Sequence, residues 1–318
     1  MQPNSSTSSS RDLRRFLVRI ALLCALLFML DRLVGWGAEA LFMKTRDGDT
    51  GGQINALLAD RSDIVVFGDS RAEAHYVPEI LRASLGAATF NAGMKGSNTL
   101  AQYALEGLIF DHYTPKLIIY DFSPYSLMHS KDPFAKLEPL YPYWRDPHVA
   151  ELIARAGPLE RLFFCSRVYP YNSKIHSIIL FNLIRHRPNA SNGYDGQPLP
   201  MAYAPLGATD SREDDYDGIM VDYLEKFIEA AQARGVRLIV TLSPRYATGS
   251  FPIPARIRRL LSESNIPVID FDSTRYPEFK DFRLFHDPSH LDDAGARIFS
   301  GLLGTEINRL DAVRRAQR

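Results

Sequence analysis

The sequence predicts a parallel α/β domain, with helices on both faces of a five-stranded sheet, behind an apolar N-terminal helix. Two observations carry the domain. From Asp63 onward, short apolar runs alternate with helix-like segments, and repeated β-α units close into a parallel sheet covered on both sides. The clearest of these runs is continuously apolar rather than alternating, as a strand buried on both faces is. A third observation, an apolar run near the N-terminus, adds a segment outside the domain.

Residues 1–15 read as a disordered cytoplasmic tail: Met1 to Ser10 is polar and Ser-rich, and Arg11, Arg14 and Arg15 follow. Residues 16–36 (Phe16 to Trp36) read as a single-pass transmembrane anchor built on the uninterrupted stretch Ile20 to Leu30. A spanning helix needs roughly 20 apolar residues, so this run suffices only if Arg19 snorkels and Asp31 and Arg32 sit near the far interface. The preceding arginines predict a cytoplasmic N-terminus and a domain outside the inner membrane, in the periplasm. A cleaved signal peptide competes, because Ala38-Glu39-Ala40 has the small-x-small form of a cleavage site. An amphipathic surface helix is the third reading. Residues 37–62 are expected to be a linker, 63–310 the domain, and 311–318 a tail.

Within the domain, strands are expected at Ile64 to Phe67, Ala88 to Ala92, Lys116 to Tyr120, Arg237 to Leu242 and Pro267 to Phe271. Helices are expected at about Pro78 to Leu85, Asn98 to Phe110, Asp222 to Arg234 and Asp292 to Leu310. The last carries Ala294, Ile298, Leu302 and Ile307 on one side. The stretch of about 124–216 is too long for a simple β-α connection. It reads as a helical, aromatic insertion after the third strand, with a helix over Ser173 to Arg187 and a Gly/Pro/Asn-rich loop over Pro188 to Pro205. Its aromatic content, as in Tyr141-Pro142-Tyr143-Trp144, suits either an extra layer or a substrate platform.

Composition excludes several classes. Lys plus Arg and Asp plus Glu both number 37, for a net charge of +0, so bulk electrostatics draws the chain to no polyanion. No basic stripe interleaved with aromatics supports nucleic-acid binding. The two cysteines, Cys24 and Cys165, provide neither a disulfide framework nor a paired-cysteine zinc site. No cofactor motif or metal-ligand cluster is legible.

The chemistry lies in two short segments. Gly68-Asp69-Ser70 directly follows the first strand. A serine at a strand-to-helix break can expose its hydroxyl, with its own N–H beside it for an oxyanion. Asp287-Pro288-Ser289-His290 precedes the last helix, and that spacing lets the carboxylate hold one ring nitrogen while the other faces the serine. Each alone is common in turns and helix caps. Together they fall on one edge of a parallel sheet, where such sheets place their sites.

With these segments the sequence resembles the GDSL/SGNH hydrolase superfamily. The first block matches Ile64-Val65-Val66-Phe67-Gly68-Asp69-Ser70, the second resembles Asn91-Ala92-Gly93-Met94-Lys95-Gly96, and the fifth matches Asp287-Pro288-Ser289-His290. The resemblance covers roughly Asp63 to Leu303, the insertion apart. It implies a flavodoxin-like three-layer α/β/α sandwich, Ser70 as nucleophile, His290 as general base and Asp287 as its orienting carboxylate. The N–H groups of Ser70 and Gly96 would form the oxyanion hole. The family's third block normally ends in an asparagine donor, but here the third strand ends Tyr120-Asp121-Phe122-Ser123-Pro124. Asn98 or another donor is the candidate substitute, the alternative being a slower or different chemistry. In this the chain looks most like membrane-tethered members that modify extracellular polysaccharides, including relatives of the alginate acetylation proteins.

The expected function is an esterase or O-acyltransferase acting on ester groups, O-acetyl above all, of an exported or cell-surface glycan. A membrane acyltransferase partner would supply the acyl group if the reaction is transfer. Arg71, Arg245 and Trp144 are candidate substrate contacts, and Arg71 reads equally as a solvated arginine at a helix start. His75 reads as a half-exposed structural histidine. The alternative is a non-catalytic scaffold or glycan-binding module of an assembly or export complex.

Overall fold

The computed structural model describes residues 6–46, 52–183, 191–204, 216–246 and 252–316. Helix α1 (Ser6–Phe42) and α2 (Gly52–Asp60) precede β1 (Ile64–Phe67). Then come α3 (Ser70–His75), α4 (Pro78–Leu85), β2 (Thr89–Asn91), α5 (Thr99–His112) and β3 (Leu117–Asp121). The insertion follows, with 3₁₀ turns around α6 (Pro147–Ala156), α7 (Pro158–Phe163) and α8 (Ile175–Leu183). The chain returns through α9 (Gly218–Ala233), β4 (Arg237–Leu242), α10 (Ala255–Glu263), β5 (Val268–Asp270) and α11 (Asp293–Ala316).

The five strands are all parallel, in the order β2-β1-β3-β4-β5. The order reverses at β1, and at the carboxyl edge beside such a reversal an open α/β sheet leaves a crevice. Side-chain alternation sorts the strands onto two cores. Val65, Phe67, Ile118, Tyr120, Leu238 and Val240 pack on one face with α2, α5, α6, α9 and α10. Ile64, Val66, Leu117, Ile119, Ile239 and Ile269 pack on the other with α3, α4 and α11. Both faces of the central strands are therefore dry, which explains their unbroken apolar sequence. Each such buried side chain contributes about 1.5–3 kcal/mol, so a charge at Val66 would be expected to break the domain.

The expected linker is not one. In α2, Ile54 and Leu57 are buried in the first core, and Gln53 donates from Nε2 to the carbonyls of Asn91 and Gly93 at 3.0 and 3.2 Å. Residues 311–316 of the expected tail continue α11, and Asp311 pairs with Arg237 at 2.6 Å. The insertion is closed at its base by an antiparallel bridge between Met128 and Tyr216. Of the expected Pro188–Pro205 loop, residues 191–204 are described, and residues 188–190 and 205 lie outside the described residues.

The N-terminal segment also departs from expectation. Among the described residues no helix is long and apolar enough to cross a membrane. Helix α1 runs unbroken from Ser6, through part of the expected tail, to Phe42. Its uninterrupted apolar stretch, Ile20 to Leu30, is roughly 16 Å long at the α-helical rise, against about 30 Å of bilayer hydrocarbon. The two charges that end it are committed to the domain. Asp31 accepts from Ser166 Oγ and from the Arg167 N–H (2.9 Å), and Arg32 donates to the Cys165 carbonyl at 2.8 Å. Beyond them α1 enters the fold, and Phe42 is buried.

Candidate active site

Ser70 begins α3 immediately after β1. Asp69 caps the helix by accepting the Arg71 N–H at 2.9 Å, which turns the chain sharply and leaves Ser70 at the rim. His290 arrives from the far end of the sequence, and its Nε2 lies 2.8 Å from Ser70 Oγ across 220 residues. Asp287 holds the rest of the ring. Its Oδ2 is 2.8 Å from His290 Nδ1, and its Oδ1 accepts the N–H groups of Ser289 and His290 at 2.7 and 2.9 Å. One carboxylate thus fixes its own turn and the imidazole at once. With Nδ1–H donating to Asp287, Nε2 is left to accept the serine proton, the arrangement a general base needs. Burial pushes the Asp287 carboxyl up, but hydrogen bonds from His290 and the Ser289 N–H outweigh it and hold the group below the usual carboxylate range.

A cleft of about 360 Å³ opens over these groups, lined by Ser70, Gly96, Ser97, Tyr125, Lys136, Ser289 and His290 among others. The loop after β2 supplies Gly96 in a turn closed by the Ser97 N–H on the Met94 carbonyl at 3.1 Å. Its φ of +66° is one that glycine adopts without penalty. The loop approaches α3 closely at Gly93, where a Cβ would stand 2.3 Å from the Glu73 nitrogen. Asn91 ties the two together. Its amide donates to the Ala72 and Tyr76 carbonyls at 2.7 and 2.8 Å, and its Oδ1 accepts the Gly93 N–H at 2.9 Å. Among the described residues neither the Ser70 nor the Gly96 N–H is spent on another backbone carbonyl, so both remain as candidate oxyanion donors.

Other expected site residues fall elsewhere. Asn98 caps α5: its Oδ1 accepts the Ala101 N–H at 3.2 Å and one of its two amide hydrogens goes to the Pro133 carbonyl at 2.8 Å, and it is not among the residues that line the cleft. Arg71 turns inward and is 3% exposed. It donates to the Ser243 carbonyl and to Ser243 Oγ (2.7 Å), and lies 4.0 Å from the Asp121 carboxylate. Arg71 is thus an internal brace that also borders the cleft. Trp144 packs against Phe164 and beneath Arg145 and borders a separate hollow with Ile153. Tyr141, Trp144 and Phe164 of the insertion pack against the first core and not over Ser70. Arg245 is half-buried near Arg71 and Tyr125, and burial, then the Arg71 charge, pushes it down to about 10. His75 is fully buried, not half-exposed.

Where the third block would provide an asparagine, the strand end is turned to a different use. Asp121 is buried and accepts from Tyr76 Oη at 2.7 Å and the Ser243 N–H at 3.1 Å. Burial pushes its carboxyl up, and the Arg71 guanidinium and these hydrogen bonds pull it back. The cleft wall here is Tyr125, just past β3, joined by Lys136 from the insertion. Neither stood out in the sequence, because nothing in an isolated tyrosine or lysine says which way a loop will turn. Among the described residues no group of histidine, cysteine and carboxylate side chains could hold a metal ion.

No family model matches this chain, and no curated protein does. Among solved structures it is similar to one from Bacteroides fragilis NCTC 9343, provisionally described as an acylhydrolase. Identity is 15% over 78% of this chain and 86% of that one, with a TM-score of 0.38. It is also similar to a GDSL-like lipase from Bacteroides thetaiotaomicron VPI-5482, at 13% identity over 78% of this chain and 88% of that one, with a TM-score of 0.36. Likenesses of that size carry nothing about the reaction, which has to be read from the side chains alone.

Proposed function

We propose that the protein is a serine-dependent ester hydrolase or O-acyltransferase of the SGNH kind, acting on O-acyl groups of an exported or cell-surface glycan. The observation that carries this reading is the continuous relay from Ser70 Oγ through His290 to Asp287, with both contacts at 2.8 Å. As the Ser70 oxygen bonds to the acyl carbon, its proton passes to His290 Nε2, and Asp287 stabilises the imidazolium. The N–H groups of Ser70 and Gly96 receive the charge that develops on the acyl oxygen. The leaving alkoxide then takes the proton from His290, and an acyl-serine remains. The oxygen of water, or of a sugar hydroxyl, bonds to the acyl carbon as its proton passes to His290, the bond to Ser70 breaks, and Ser70 Oγ takes the proton back from His290. Hydrolysis and transfer share these steps and differ only in what enters second. A cleft of about 360 Å³ has room for an acyl group together with part of the alcohol that carries it, and transfer would draw on a membrane partner for its donor.

The setting is part of the same proposal. Leu17, Ile20, Leu23, Leu26, Leu27, Phe28 and Leu30 all stand exposed around α1. A stretch that is apolar all round, as Ile20 to Leu30 is, seeks a nonpolar medium, so this part of α1 would hold the domain at the outer side of the cell membrane. The full chain should then float with phosphatidylcholine vesicles, and a variant carrying Leu23→Arg, Leu26→Arg and Leu27→Arg should not.

A fluorophosphonate probe tests the chemistry. Wild type should be labelled, and Ser70→Ala should not. A folded wild type that takes no label would favour the non-catalytic scaffold, for which the missing third-block asparagine speaks. Incubation with an acetyl-ester donor and oligosaccharides separates the two enzymes. Mass gain on the sugar means transfer, and free acetate alone means hydrolysis.

A further inference from the structure

His75 lies outside the proton path yet closes a circuit around it. Helix α3 begins with Ser70 and ends with His75. The His75 ring is fully buried, and its Nε2 accepts the Leu291 N–H at 2.9 Å. A backbone N–H can only donate, so Nε2 carries no proton, and the ring's hydrogen is on Nδ1. Nδ1–H then donates to Ser243 Oγ at 2.9 Å. The same Ser243 receives the Arg71 guanidinium at both its Oγ (2.7 Å) and its carbonyl. The residue after the nucleophile and the residue after the base are therefore joined through one serine and one imidazole.

We propose that His75 is a positioning residue, a neutral imidazole that grips the backbone beside His290 and so sets the gap between base and nucleophile. This rests on the acyl-transfer reading of Ser70 and His290. The physical need is plain. Ser70 and His290 come from opposite ends of the domain, and a displacement of about 1 Å between reacting groups costs on the order of 10²-fold in rate. Asp287 orients the ring within its own turn, but the turn must itself be tied to α3. The Tyr246 N–H on the Pro288 carbonyl, at 3.1 Å, holds its other side. The charged groups that bear on His75 are Arg71 on its own helix and His290 facing it, with the rings 6.2 Å apart. Burial, then Arg71 and His290, all disfavour the imidazolium. That matters because a protonated His75 would have no acceptor for Leu291.

The test compares wild-type full chain with His75→Leu, which removes the acceptor, and His75→Gln, which keeps one. The readouts are fluorophosphonate labelling rate, p-nitrophenyl acetate kinetics and thermal midpoint. His75→Leu should lose roughly 10- to 100-fold in kcat and labelling rate with KM nearly unchanged, and His75→Gln should recover most of the loss. A filler of volume alone would predict no rescue by Gln. A folded His75→Leu that labels at the wild-type rate, or a Gln variant no better than Leu, overturns the proposal and leaves the serine reading intact. An unlabelled wild type sinks both. If His75→Leu does not fold, ¹⁵N spectra of the wild-type chain decide. They should report a neutral His75 with its proton on Nδ1 across about pH 5 to 9, and the opposite tautomer or a titrating ring refutes the proposal.

Discussion

The rim of the sheet and the layer just beneath it are built to opposite rules. At the rim, the side chains of Asp287 and His290 are 43% and 24% exposed, and the Ser70–His290–Asp287 chain borders open cleft. One layer down, Arg71, His75, Asp121, Thr241 and Ser243 are all buried, and their polar atoms are bonded to one another with few exceptions. Groups that move protons need access to substrate and tolerate water, whereas groups that hold position need fixed partners, since a buried polar atom left unpaired costs about 1–3 kcal/mol. The difference teaches that the reacting set is small and the bracing set behind it is large. Changes in the first should strike rate, and changes in the second should strike stability or geometry.

The largest expected effect tests the rim. Asp287→Asn keeps the shape but removes the charge opposite the imidazolium, and should lower kcat roughly 10²- to 10⁴-fold with little change in thermal midpoint. Because the Asp287 pKa is depressed, the carboxylate stays ionised through the ordinary range. An acid limb seen there in the wild-type rate profile would belong to another group. Tyr76→Phe tests the layer beneath. It leaves the Asp121 carboxylate without its 2.7 Å donor and should cost about 1–3 kcal/mol in denaturant unfolding, a larger effect on stability than on KM.

Asn98→Ala discriminates between the two sets. If Asn98 only caps α5, stability falls by about 1 kcal/mol and kcat barely changes. A loss of about 10²-fold in kcat would make it an oxyanion donor after all. The smallest effect concerns Glu106, fully buried in α5 with neither carboxylate oxygen bonded among the described residues. Burial raises its pKa well above the usual carboxylate value, so the native state binds its proton more tightly than the unfolded chain. Stability from this group is full below the unfolded pKa and is lost as pH rises toward the folded one. Glu106→Gln should therefore melt higher than wild type at pH 8, with the gap closing by about pH 4.

The fold was legible because its signals are local. β1 is an unbroken apolar run, β3 and β4 carry apolar cores at Leu117 to Tyr120 and Leu238 to Val240, and burial on both faces imposes that composition wherever it occurs. α2 and α10 escaped notice, α3 was expected only as a helix start after Ser70, and α6 and α7 only as parts of a helical insertion. α3 has only six residues, too short for a periodicity, and α10 carries charges around a narrow stripe of Ile257 and Leu261. The relay was legible for a related reason: Asp287 and His290 meet within one turn, and Ser70 sits where a strand must end. Asn98 and Trp144 stand away from the cleft, Arg71 borders it while bracing the core, and His75 is buried rather than half-exposed, because each has two uses that sequence spacing cannot separate. An arginine beside a nucleophile can face the cleft or the core, and an asparagine before a helix can cap it or reach across it.

By itself, then, the sequence determined the alternation of strands and helices, the edge on which Ser70 and His290 must fall, and the carboxylate that turns the imidazole. Those come from burial patterns and from contacts a few residues long. Only tertiary structure decided that α1 hands Asp31 and Arg32 to the insertion, that Arg71 turns inward to Asp121, and that His75 reaches Leu291 across 216 residues. Such choices depend on which surfaces meet after the sheet closes, and that information is spread over the whole chain and held by no single segment of it.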